Sequence, residues 1–138
     1  MKLITKKTDY AIVALLALAD AGEEGLSTGE LASQLRISHP VLRQVLPKLA
    51  AGRMVRSQSG PGGGYTLAKE LNGISIRDVV ELFEGPVTLL NCSIGDTSCR
   101  RVTSCILRRR LAALEIQLAT DLGGITIASL VATPTRSR

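Results

Sequence analysis

The chain has 138 residues, of which 45% are hydrophobic, with no Trp, one Phe and two Tyr. That suffices for the core of one domain, and a core of Leu, Ile, Val and Ala suits helices better than a sheet sandwich. The net charge of +5 is uneven: residues 28–70 hold six Lys/Arg against two Glu, residues 91–110 hold five Arg against one Asp, and residues 71–90 between them are net acidic. Such clustering points toward a polyanion partner.

No run approaches the roughly 20 apolar residues of a membrane span. "MKLITKK" followed by "AIVALLALA" has the outline of a secretory leader, but Asp9 stands at the mouth of the apolar run and the fold needs that run as a helix. Three cysteines, an odd number, also suit an oxidising compartment poorly. The expected location is cytoplasmic, with no membrane partner.

Thr8 and Asp9 can cap a helix over about Tyr10 to Ala21, apolar on most sides and therefore central, ended by Gly22 and Gly25. Ser27, Thr28, Gly29 and Glu30 read as a capping box opening a short second helix, with Leu31, Ala32 and Leu35 on one face. Ser38 begins a third helix. Val41, Leu42, Val45, Leu46 and Leu49 recur at helical spacing, Pro40 falls in the tolerant first turn, Pro47 is expected to kink the helix, and Gly52 ends it.

The period then changes. Met54-Val55 and Tyr65-Thr66-Leu67 are strand-like and enclose a glycine-rich loop, which predicts a hairpin. Another capped amphipathic helix follows from about Ser75, burying Ile76, Val79, Val80 and Phe83, before Pro86 and the cysteine segment. After Cys105, Leu107, Leu111, Leu114, Leu118 and Leu122 lay a stripe along a helix of about four turns. The stripe can pack on the domain's own core or form a dimer seam; the frequency of isologous dimers favours the seam. "GGITIASLVATPTRSR" reads as a closing turn or helix with a frayed tail.

The predicted fold is mainly helical with a small β-hairpin wing: a winged helix-turn-helix unit followed by a long C-terminal helix. In that arrangement the third helix enters the major groove of double-stranded DNA and the hairpin tracks the backbone or minor groove. Ser38, His39, Arg43, Gln44 and Lys48 supply donors for bases and phosphates, Thr28 begins the preceding helix, and Arg53, Arg56, Ser57, Gln58 and Ser59 belong to the wing. Gly62 and Gly63 let the wing backbone approach DNA closely, with Tyr65 packed beneath. A phosphate-binding enzyme loop is excluded by context, because "GPGGGY" lacks the following Lys-Ser/Thr pair and continues as a strand. No catalytic constellation appears.

Cys92, Cys99 and Cys105 stand among Asn, Ser, Gly, Asp, Thr and Arg, whereas structural cysteines normally keep apolar company. Arg100, Arg101, Arg108, Arg109 and Arg110 would favour thiolates. The wide spacing suits an iron-sulfur cluster, which accepts a non-cysteine ligand, better than the short knuckles of structural zinc. A metal-free thiol-disulfide switch is the near alternative. A non-DNA module that dimerises through the leucine helix is the more distant one.

Taken together, "MKLITKKTDYAIVALLALA", the run from "LSTGELASQL" through "GPGGGYTLA", "SIRDVVELFEG" and three cysteines before a long helix resemble the Rrf-two family of winged-helix transcription regulators, which includes IscR, NsrR and RirA. The resemblance covers nearly the whole chain. It implies a homodimeric DNA-binding regulator, a repressor in this reading, that senses nitric oxide, iron or redox state through an iron-sulfur cluster on Cys92, Cys99 and Cys105, with 4Fe-4S placed ahead of 2Fe-2S. Where the IscR-like branch has a histidine this chain has Arg108. In the NsrR-like branch an aspartate from the other subunit completes the site, and Asp9 stands at the matching position, where a helix N-terminal carboxylate is also favourable on its own account. The first cysteine spacing is one residue longer than in most IscR and NsrR chains, and Arg43 and Ser59 differ from the IscR-like recognition residues. The expected division is a DNA-binding unit over 1–85 with its wing at about 53–67, a cluster loop over 86–106, a dimerisation helix and closing segment over 107–132, and a tail over 133–138.

Overall fold

The N-terminal apolar run forms the central helix, α1 (Lys6–Ala21), and starts a turn earlier than its sequence suggests. Thr8 is not a cap: it is fully buried, and its hydroxyl donates to Glu84, far along the chain. Thr5 takes the N-cap position without a side-chain cap bond. Ala11, Ala14, Leu15 and Leu18 are fully buried at helical spacing and give α1 its core stripe. The computed structural model describes residues 2–90, 99–101 and 103–132.

α2 (Thr28–Leu35) opens on the expected box: Ser27 Oγ accepts the Glu30 N–H at 3.1 Å, and the Glu30 carboxylate accepts the Ser27 N–H at 2.7 Å. Arg36 ends it in the left-handed region, and the chain turns directly into α3 (His39–Ala51). Leu42, Val45, Leu46 and Leu49 face the core with no exposure, so Ser38, His39, Arg43, Gln44, Pro47 and Lys48 share the exposed side. Pro47 cannot donate to the Arg43 carbonyl, but on this outer face solvent can satisfy that oxygen.

β1 (Val55–Gln58) and β2 (Gly64–Leu67) pair antiparallel, with Val55 opposite Leu67 and Gln58 opposite Gly64. Leu26 adds a single antiparallel rung to β2 from outside the hairpin, exchanging backbone hydrogen bonds with Tyr65 at 3.0 and 2.8 Å. This rung anchors the hairpin to the body just before α2, and Tyr65 packs against the core. Gly25 permits it. Its φ is +68°, and a Cβ there would stand 2.3 Å from the Tyr65 carbonyl oxygen. Gly25→Ala therefore combines left-handed strain with overpacking and should cost about 2–4 kcal/mol, measured as a drop in the urea midpoint.

α4 (Ile76–Glu84) carries a second capping box, Ser75 with Asp78, and buries Ile76, Val79 and Val80. α5 (Ile106–Gly124) packs on α4 but has no fully buried residue. The chain then returns to the body: Ile76 N–H donates to Ile125 O and Ile127 N–H to Ile74 O, both at 2.8 Å. α6 (Ile127–Ala132) thus places Ile127 in the core at 0% exposure. Helices around one hairpin, in the order helix, helix, helix, wing, make the predicted winged helix-turn-helix.

Candidate nucleic-acid interface and thiol segment

Three features converge beside the exposed face of α3. Its N-cap Ser38 is exposed and makes no side-chain cap bond. His39, also exposed, leans toward the start of α2: a Cβ on Gly29 would lie 3.9 Å from its Nε2. Thr28 opens α2 half-buried, and the starts of α2 and α3 lie close together. Along α3, Arg43 and Gln44 are exposed, and Arg43 has no carboxylate partner among the described residues. An unpaired guanidinium on a helix face is suited to bidentate contact with guanine or phosphate.

On the wing, Arg56, Ser57, Gln58 and Ser59 are all exposed, and among the described residues Arg56 is likewise without an ion pair. Arg53, exposed, enters the hairpin with φ of +58°. The tip turns through Gly60 and Gly62, at φ of +101° and +78°. Gly62 is exposed with open space around it, and Gly63 is half-buried because its Cα faces the Gln58 and Gly60 carbonyls. Lys48 differs from the rest of the α3 face: its Nζ lies 5.2 Å from the centroid of the Phe83 ring.

The thiols form a second region. Cys105 is the N-cap of α5, half-buried, and its Sγ accepts the Arg108 N–H at 3.5 Å. Cys99 is exposed, and both thiols are free of disulfide. Cys92 lies outside the described residues. Asp9 is exposed in the first turn of α1. Among the described residues no three His, Cys, Asp or Glu side chains gather into a metal-sized group, so one chain does not by itself bring Asp9 to Cys99 and Cys105. The chemistry of the donors does fit an iron-sulfur cluster: soft sulfur ligands, one at the positive end of a helix and held by an N–H, suit an anionic metal-bound thiolate.

The family model for Rrf2, iron-dependent transcriptional regulator, matches residues 4–133. The chain belongs to the Rrf2 family. The HTH-type transcriptional repressor NsrR of Streptomyces coelicolor is 31% identical over 134 residues, covering 96% of this chain and 90% of that one. The HTH-type transcriptional regulator IscR of Yersinia pseudotuberculosis is 29% identical over 129 residues, covering 93% and 78%. In structure, CymR, the global cysteine regulator of B. subtilis, superimposes with a TM-score of 0.71 at 25% identity over 96% of this chain and 98% of that one. This Rrf2 protein is accordingly a DNA-binding transcriptional regulator, and the predicted winged-helix fold is the one its structural neighbours share. No helix among the described residues is long and apolar enough to cross a membrane.

Sequence reasoning missed the partner of Lys48. The spacing of α4 predicts Phe83 as core, but the ring is only half-buried, and its other face receives an ammonium from 35 positions earlier, which leaves no local signal.

Proposed function

We propose that this Rrf2 protein is a homodimeric, cytoplasmic repressor whose DNA affinity follows the state of an iron-sulfur cluster held by Cys92, Cys99 and Cys105. The observation that carries the reading is Cys105 itself, at once the cap of α5 and a free thiol facing a helix N-terminus. When bound, the cluster supplies a centre reactive toward nitric oxide, oxidants or iron loss, with 4Fe-4S ahead of 2Fe-2S. The chain's part is to present the sulfurs at the head of α5. Asp9 of the second subunit is the leading fourth ligand, and the repressor role is supported by the similarity to the Streptomyces repressor.

In this reading residues 1–85 bind DNA, 86–106 hold the cluster, 107–132 dimerise and close the fold, and 133–138 form a tail. Ser38, His39, Arg43 and Gln44 face the major groove, Thr28 contacts a phosphate, and Arg56, Ser59, Gly62 and Gly63 follow the backbone or minor groove. Anaerobic purification tests the cluster: coloured protein with iron and acid-labile sulfide is expected, and colourless protein free of sulfide rejects it. Asp9→Ala should alter the visible spectrum while leaving iron binding by the cysteines in place; an unaltered spectrum removes Asp9 as a ligand.

The metal-free thiol switch is the second reading, favoured by the exposure of Cys99. Its signature is oxidation-dependent DNA affinity in protein without iron.

A further inference from the structure

The C-terminal half of the recognition helix α3 is fastened to two other helices through a compact polar joint. α4 comes so close at Gly52 that a Cβ there would lie 2.7 Å from the Leu82 side chain. One residue on, the Phe83 ring receives the Lys48 ammonium. The next residue, Glu84, ends α4, and one oxygen of its carboxylate accepts the hydroxyls of both Thr5 and Thr8 at 2.5 Å. Thr5 precedes α1, and Thr8 is wholly buried within it. These hydrogen bonds from Thr5 and Thr8 hold the Glu84 carboxyl below the ordinary carboxylate range, against a small opposing effect of burial, and the Lys48 charge assists. A cleft of about 470 Å³ opens beside the joint, lined on α3 by Gln44 and Lys48.

Lys48 looks by spacing like one more phosphate contact. A second role is open to it: although exposed, its ammonium stands over the Phe83 ring, and its charge acts on the Glu84 carboxylate next in sequence. Arg43 and Arg56 have no such partner among the described residues.

We propose that Lys48 is a positioning residue: with Phe83, Glu84, Thr5 and Thr8 it fixes the tilt of α3 against α1 and α4, and it does not contact DNA. Gln44, one turn earlier on the same face, depends on that tilt to meet its base or phosphate.

The two roles for Lys48 give opposite results in salt-dependent binding. The probe is the duplex most enriched from a random-sequence pool by the wild-type protein. For a positioning role, Lys48→Gln and Glu84→Gln should each weaken binding about five- to tenfold, and the slope of log affinity against log salt should change by well under one. The double variant should be no weaker than the worse single, since both break one joint. Lys48→Arg keeps the charge and the ring contact and should restore wild-type affinity.

A phosphate contact predicts instead that Lys48→Gln lowers the slope by about one and that Glu84→Gln, by freeing the ammonium, leaves binding unchanged or tightens it. Either result overturns the proposal, as do additive effects in the double variant. Circular dichroism on each variant separates misfolding from a changed tilt, and Thr8→Val offers an independent cut of the same joint, expected to match Glu84→Gln. A wild-type protein that enriches no duplex overturns the role assigned here together with the DNA reading itself.

Discussion

Cys105→Ser is expected to give protein that folds and stays helical but purifies colourless, with iron and labile sulfide lost completely. The substitution separates two roles that Cys105 combines. As the N-cap of α5, its Sγ accepts the Arg108 N–H. Serine is the better cap by nature, its oxygen accepting the same kind of bond, so the helix should be held at least as well. As a cluster ligand, sulfur has no substitute in the hydroxyl, which is harder and not ionised near neutral pH. Helix content by circular dichroism should therefore match the wild type, while iron and sulfide analysis differs by the whole cluster. Retention of full iron and sulfide by Cys105→Ser would reject Cys105 as a ligand. If the metal-free switch is the true mechanism, wild type and variant will both be colourless, and the variant will lose the oxidation dependence of its DNA affinity.

Most of the helical scaffold is written in local patterns. The Ser27 and Glu30 box and the 42, 45, 46, 49 apolar spacing of α3 each depend on residues a few positions apart, and each appears where the spacing puts it. The start of α1 does not follow local rules. Thr8 has the chemistry of a cap, but Glu84 claims its hydroxyl across the fold, and a donor satisfied at that distance allows the helix to begin at Lys6. Leu26 pairing with Tyr65 and Ile127 entering the core are equally non-local, because a single rung or a single buried residue has no period to read.

The exposed face of α3 was legible to the same degree. Ser38, His39, Arg43 and Gln44 fall on one exposed side because the helical period that buries Leu42 and Leu46 leaves no other place for them. Lys48 obeys that period too, yet its contact is set by where α4 ends, which the period does not encode. Cys92 and the tail beyond Ala132 lie outside the described residues. Asp9 sits in the first turn of α1, and the proposed ligation needs a second subunit.

The leucine stripe of α5 divides in a way that fixes where a second copy would dock. Leu118, Ala119 and Leu122 pack against the body's own core. Toward the N-terminal end, the stripe residues Leu107 and Leu114 are 60% and 55% exposed, with Ile106 beside them at 74%. The core-packing reading therefore holds for the C-terminal half of the helix, and the exposed half is the surface that the proposed dimer would use. Leu114→Glu should convert a dimer into a monomer. Fully burying one Leu is worth about 1.5–3 kcal/mol, and Leu114 has about half of its surface left to bury; twofold symmetry counts that half twice, so the loss of roughly 1.5–3 kcal/mol weakens dimerisation by about ten- to a hundredfold. Because Leu114 is more than half exposed within its own chain, the monomer should keep its fold. Sedimentation equilibrium gives the check: twice the 14.6 kDa chain mass for the wild type and the single mass for the variant. DNA binding should fall with it, because a dimer engages two half-sites and a monomer only one. A wild type that sediments as a monomer would leave the exposed half of α5 without the partner assigned to it.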